Sequence, residues 1–227
     1  ILERKKTLFI GILETNENFG FVNITEKKIF TDFYISPENI KGYKEGEKVV
    51  VKLLDWPKGN KSPFGKIISS FGKGGVYETE IKSILYENKI REKFPNEALE
   101  ELKKIEKKEK NSKKRKDLRE ETTFTIDPIS AKDFDDAISF KKQEGGGKKI
   151  GIHIADVSHY IKPGTALDKE AYKRGTSLYL PDRVVPMLPE KISNGLCSLN
   201  PEQEKKTFSF IFELTEKGKI IKERFEK

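Results

Sequence analysis

The chain has 227 residues, with 45 Lys+Arg against 37 Asp+Glu and a formal net charge of +8, a length that allows one large or two ordinary domains. Charged residues make up 36% and apolar ones 35%, enough apolar matter for a core inside a large wet surface, which excludes a disordered chain. No apolar run approaches the ~20 residues of a membrane span and no signal-peptide pattern is present; one cysteine, Cys197, and two histidines, His153 and His159, exclude an internal disulfide and a structural zinc finger. A reducing cytoplasm and an anionic partner, nucleic acid before membrane, are the expectations, for a monomer. Because residue 1 is Ile1, the chain is expected to be processed or cut from something longer.

Five short apolar runs, Leu8 to Leu13, Phe19 to Ile24, Asp32 to Ile35, Val49 to Leu54 and Gly65 to Ser70, are separated by turn residues and predict a small all-β barrel over residues 1–75. A linker over 76–118 follows. Within it Ala98, Leu99, Leu102 and Ile105 recur at helical spacing, so Phe94 to Lys110 reads as a short amphipathic helix. It runs into the basic segment Lys107 to Lys116, either a solvated linker or a strap that tracks phosphates. A second domain over 119–227 begins with extended runs Phe124 to Ile126, Ala137 to Phe140 and Ile150 to Val157. It continues through a helix Asp168 to Arg174 and extended pieces Leu178 to Leu180 and Val184 to Met187, and ends on a last strand, Thr207 to Leu214.

In the barrel, Phe19 and Phe21 lie two apart and share a strand face, with Tyr34 on the next strand. Gly20 between them is expected to let a ligand approach the backbone. Base stacking contributes about 1 to 3 kcal/mol per ring, so exposed aromatics flanked by Lys52, Lys58, Lys61 and Lys66 predict a sequence-tolerant site for single-stranded nucleic acid. Some of the three rings should turn inward as core, leaving two outside. These residues resemble the cold-shock OB-fold pattern, with Tyr34 and Ser36 standing where that pattern has Phe and His; the resemblance implies RNA binding.

The richest chemistry lies between Thr125 and Ala137, where Asp127, Asp133, Asp135 and Asp136 fall within ten residues. Four such carboxylates repel one another unless cations neutralise them, and carboxylate oxygens suit Mg²⁺ or Mn²⁺. Pro128 and the mixed spacing predict a turning loop that converges all four, with a solvated acidic loop or helix caps as the alternative. His153 and His159 read as structural histidines, Cys197 as a core or loop-packing thiol, and Trp56 as cover for a barrel edge.

Thr125-Ile126-Asp127 with Ala131-Lys132-Asp133-Phe134-Asp135-Asp136-Ala137 resembles the signature of the ribonuclease II/ribonuclease R family. Similar stretches follow at Ile152 to Ile161, Arg174 to Pro181, Pro186 to Pro189 and Asn194 to Pro201. The resemblance implies an OB-fold, cold-shock-like barrel followed by the N-terminal part of a mixed α/β RNB catalytic domain. It implies processive 3′ to 5′ hydrolysis of single-stranded RNA to nucleoside 5′-monophosphates. Asp127, Asp133, Asp135 and Asp136 would then be catalytic and hold Mg²⁺, with Asp135 nearest the attacking water, and Tyr179 would pack against the 3′-terminal nucleotides. The catalytic domain of that family continues past the position of Lys227, so the chain is expected to be a poorly active part of it. The rivals are a non-catalytic OB-fold RNA-binding protein and a metal-dependent DNase.

Overall fold

The computed structural model describes residues 6–26, 31–108 and 115–227, so that 109–114 of the basic segment lie outside the described residues. The chain forms two compact units, Ile1–Arg91 and Glu92–Lys227.

The first unit is a closed barrel of β1 (Leu8–Thr15), β2 (Gly20–Ile24), β3 (Phe33–Ile35), β4 (Glu47–Asp55) and β5 (Phe64–Lys73), in the order β1-β2-β3-β5-β4. Alternation decides the interior: Leu13, Val22, Phe33, Ile35, Val49, Val51 and Ile67 point inward and are buried, each worth roughly 1.5–3 kcal/mol relative to exposure. The barrel closes through the parallel pairing of β3 with β5, Tyr34 opposite Phe64. A one-turn helix α1 (Pro37–Ile40) then carries Ile40 against the core. Gly20 faces that side: a Cβ there would meet Ile40 Cδ1 at 2.6 Å and the Glu14 carbonyl at 2.8 Å. Its lack of a side chain therefore serves barrel packing, not the approach of a ligand.

A helix missed in the sequence reading, α2 (Tyr77–Glu87), belongs to this unit and not to a linker. The outward residues of β4 require it. Val50 is fully buried although Val49 and Val51 fill the interior, and Lys48, on the same face as Val50, pairs with Glu80 of α2 at 2.5 Å. Thr79 Oγ1 donates to the Phe71 carbonyl at 3.2 Å and the Tyr86 ring meets Phe71 at 5.5 Å. Thus α2 seals one flank of the barrel.

The second unit is built on an antiparallel sheet of β6 (Thr123–Phe124), β7 (Asp136–Lys142), β8 (Lys148–Ala155), β11 (Thr207–Leu214) and β12 (Ile220–Glu226), in the order β12-β11-β8-β7-β6. Helices α3 (Asn96–Lys108), α4 (Val157–Tyr160) and α5 (Ala166–Arg174) accompany it, with a short ribbon of β9 (Leu178–Tyr179) and β10 (Val184–Val185) and a wide helical turn Lys191–Leu196. Their core gathers Ala98 and Leu102 of α3, Ala155, Tyr160, Leu167, Leu188, Ile192 and Cys197. The amphipathic helix is therefore a core element of this unit. β12 was missed because Lys222, Glu223 and Arg224 break its apolar pattern; pairing with β11, Phe225 opposite Phe210, makes it a strand.

The two faces of this sheet differ. On one, His153 is buried and its Nδ1 and Nε2 lie 2.8 Å from the Ser209 and Ser139 hydroxyls; burial lowers its pKa, so it stays neutral. The other face carries Ile138, Ile152, Ile154, Phe208 and Phe210 from three neighbouring strands, with Asp136 opposite Ile154 at its end. Asp156, which follows β8, is almost fully buried. Burial alone would raise its pKa, but the Ser158 hydroxyl at 2.6 Å and the Arg115 guanidinium at 2.6 Å, with Lys227, hold it at about 2. Arg115 also donates to the Thr207 carbonyl at 3.1 Å, tying the entry of the domain to β11.

Candidate functional site

Asp127 to Asp135 form the loop from β6 to β7. The backbone turns back at Pro128, whose carbonyl accepts from Ala131 N–H at 2.9 Å, and the loop enters β7 with the Asp135 carbonyl held by Ala155 N–H at 2.9 Å. The four carboxylates come into electrostatic range of one another here. Partial desolvation, then the charges of Asp133, Asp136 and Asp127, raise the pKa of Asp135. Among the described residues none of the four is in an ion pair, and no three acidic, His or Cys side chains converge into a ready ligand set. The expected convergence of all four is thus incomplete. Asp136 opens β7, Asp135 immediately precedes it, and Asp127 lies beyond the Pro128 turn. As donors, four oxygen-only groups of like charge suit a hard divalent cation, and a cation would offset the repulsion that raises Asp135.

Tyr179, at the end of the β9–β10 ribbon, donates its hydroxyl to Asp133 Oδ2 at 2.9 Å while the residue as a whole is 65% exposed. It is not a core residue. The bond to the carboxylate raises the phenol pKa, so the hydroxyl keeps its proton. Ser177 supports the ribbon by accepting from Met187 N–H at 3.0 Å.

On the first unit, Phe19, Phe21 and Tyr34 all lie outside the barrel, mutually 5.8 to 5.9 Å apart between ring centroids. The expectation that one would turn inward is corrected: all three share one parity of the alternation, and the interior rings are Phe9 and Phe33, 5.0 Å apart. A fourth ring, Phe64, joins Tyr34 at 5.4 Å. Sequence reasoning missed it because only the β3–β5 pairing brings it to Tyr34. Lys66 lies two residues along on the same exposed face and Lys52 opposite it on β4. Trp56 donates Nε1–H to the Asn60 carbonyl at 3.1 Å and covers the β4–β5 loop.

Comparison with known proteins places both units. The cold shock domain model matches residues 21–95 and the RNB domain model residues 115–227. Ribonuclease R of Thermotoga maritima is 41% identical over 98% of this chain and 32% of its own length. The chain belongs to the ribonuclease R/ribonuclease II family. Within that family, Mycoplasma genitalium RNase R in complex with ribose methylated single-stranded RNA matches the whole chain and 36% of its own, at TM-score 0.85 and 26% identity. Yeast Ssd1, a pseudonuclease, matches 99% of this chain and 30% of its own at TM-score 0.64 and 22% identity, a likeness of fold alone. The chain spans about a third of the length of the ribonuclease R relatives it matches first. The loop Asp127 to Asp136 and β9, both inside the stretch that the RNB domain model matches, are brought together by the fold at the Tyr179–Asp133 bond.

Proposed function

We propose that the chain supplies the RNA-binding barrel and the carboxylate loop of a hydrolytic 3′ to 5′ exoribonuclease, acting on single-stranded RNA and releasing nucleoside 5′-monophosphates processively. The observation that carries this reading is the exposed Tyr179 ring bonded through its hydroxyl to Asp133, inside a cluster with Asp127, Asp135 and Asp136. A ring there stacks on the last bases of a strand, and its bond to Asp133 fixes where the strand end lies against the carboxylates. Asp135, the member whose proton affinity is raised by partial burial and then by its acidic neighbours, is suited to accept a hydrogen bond from the attacking water. Mg²⁺, or Mn²⁺ in its place, held by Asp127, Asp133, Asp135 and Asp136, would neutralise the scissile phosphate and acidify a bound water. The ribonuclease R relatives and the RNA complexes of Mycoplasma genitalium RNase R support the substrate class. The reading places the enzyme in the cytoplasm as a monomer.

The test is a 5′-labelled single-stranded RNA incubated in Mg²⁺ with the full-length protein that carries this chain. Stepwise shortening from the 3′ end with release of 5′-monophosphates, abolished by EDTA, is expected; cleavage that needs no divalent cation, or internal cuts, would falsify the reading. A non-catalytic RNA binder would leave the RNA at full length. Because the chain spans about a third of the length of its ribonuclease R relatives, turnover by the 227 residues alone is expected to be slow, at least about 10²-fold below the longer protein.

Two substitutions separate the parts of this reading. Tyr179→Phe keeps the ring and loses the bond to Asp133, so the shortest undigested product should stay as in wild type while kcat falls about 10-fold; Tyr179→Ala should change the product length as well. An unchanged ladder in Tyr179→Ala removes the ring from the RNA path. In the barrel, Phe21→Ala with Tyr34→Ala should weaken single-stranded RNA binding by about 30-fold or more, from about 1–3 kcal/mol per ring. Affinity should also fall with salt as the lysines release counterions. A filter-binding isotherm that does not move between wild type and the double variant rules the aromatic surface out.

A further inference from the structure

Outside the carboxylates themselves, the backbone that carries them is held from one direction. Ser198 is completely buried. Its hydroxyl donates to the Lys132 carbonyl at 2.9 Å and accepts from Phe134 N–H at 3.0 Å, so one side chain grips the backbone on both sides of Asp133. The next residue repeats the grip: Leu199 N–H donates to the Phe134 carbonyl at 2.9 Å, immediately before Asp135. A hydroxyl has one proton and two lone pairs, and the 2.9 Å carbonyl outranks the Asn200 Oδ1 contact at 3.4 Å as its acceptor.

The support behind this grip is rigid. Cys197 N–H donates to the Ile192 carbonyl at 2.8 Å, and both side chains sit in the core of the second unit. Asn200 Nδ2 donates to the Asn194 carbonyl at 3.2 Å and closes the turn on itself. The stretch from Asn194 to Asn200 is therefore anchored in the core at one end and to the aspartate loop at the other.

We propose that Ser198 is a positioning residue for the aspartate loop: it touches no carboxylate, and sets the separation of Asp133 and Asp135 by fixing Lys132 and Phe134. The proposal rests on the reading of that loop as a divalent-cation centre. A loop that carries four like charges spreads when its backbone is released, and loss of a residue that orients ligands costs about 10- to 100-fold in metal affinity.

Manganese binding to the purified 227-residue chain, followed by titration calorimetry, tests it without recourse to turnover. Ser198→Ala should weaken Mn²⁺ binding at least about 10-fold, and Ser198→Cys, which retains a weak donor, should fall between. Ser209→Ala removes a comparably buried hydroxyl, bonded to His153 far along β11, and should lower the thermal midpoint while leaving Mn²⁺ affinity within about twofold. Equal weakening by Ser209→Ala would reduce Ser198 to a fold residue and overturn the proposal. Mn²⁺ binding that Asp135→Asn abolishes and Ser198→Ala leaves untouched overturns the positioning role alone; no Asp135-dependent binding in the unaltered chain overturns the cation reading and the proposal with it. If neither Ser198 variant folds, amide hydrogen exchange of the unaltered chain decides. Phe134 N–H should be protected at least about 10²-fold relative to an unstructured peptide, and exchange at the unstructured rate would overturn the grip.

Discussion

In the full-length protein, Asn at position 135 is expected to slow RNA hydrolysis by roughly 10²- to 10⁴-fold, the range attributed to a positioned general base, with RNA affinity nearly unchanged. Asn has the shape of Asp without its charge, so the loop backbone, held at the Asp135 carbonyl by Ala155, has no reason to move. What disappears is the group that its desolvation and the Asp133, Asp136 and Asp127 charges make most ready to take a proton. The same surroundings make a second, opposite effect on stability. A carboxyl whose pKa is raised in the folded state costs stability once pH exceeds its unfolded value, because folding then opposes ionisation. Removing the charge should therefore leave the thermal midpoint equal to or above that of wild type at neutral pH while activity collapses, the pattern of a functional group retained against stability. Turnover near wild type in Mg²⁺ would dissociate Asp135 from the chemistry, and a lowered midpoint would show that its charge is structural.

The largest stability effect is expected at Arg174. Its guanidinium lies 3.8 Å over the Phe94 ring, donates through Nε to Glu170 at 2.9 Å, and reaches the carbonyls of Pro186 at 3.0 Å and Lys93 at 3.1 Å. Both partners of the ion pair are buried, at 9% side-chain exposure each. Truncating Arg174 to Ala strands the Glu170 carboxylate in that environment, a change that costs about 3–5 kcal/mol, against the 5–15 kcal/mol that holds a typical domain folded. Arg174→Lys should recover little of this, since an ammonium cannot serve three acceptors and a ring face in one plane. Glu170→Gln added to Arg174→Ala should recover part of the loss because the uncompensated charge is gone. Denaturant unfolding of the second unit measures all three; a loss below about 1 kcal/mol in Arg174→Ala would mean that the pair behaves as an exposed one. The position matters beyond stability, because residues 175–186, which carry Tyr179 and the β9–β10 ribbon, run between the α5 end and the Pro186 carbonyl that Arg174 holds.

Local pattern alone determined much of this protein. The alternation of Leu13, Val22, Ile35, Val49 and Val51 already specifies a barrel, because a period of two can bury only one face of each strand. The spacing of Ala98 and Leu102 specifies a helix, and the clustering of Asp127, Asp133, Asp135 and Asp136 marks the candidate site by composition, since so short a separation in sequence keeps the other three charges within electrostatic range of Asp135. Tertiary structure decided what depends on partners distant in sequence. Tyr77 to Glu87 reads as connecting chain until Val50 and Lys48 are seen to need cover on the outside of β4. The charged stretch Ile220–Glu226 becomes a strand only against β11, where backbone hydrogen bonds replace the missing apolar alternation. Phe64 enters the aromatic surface only through a parallel pairing across the barrel, and Ser198 reaches Phe134 across 64 residues. A short-range pattern records which face of an element is apolar; which surface meets that face, and which buried hydroxyl completes a distant backbone, is settled when the chain closes on itself and every buried polar group must find a partner.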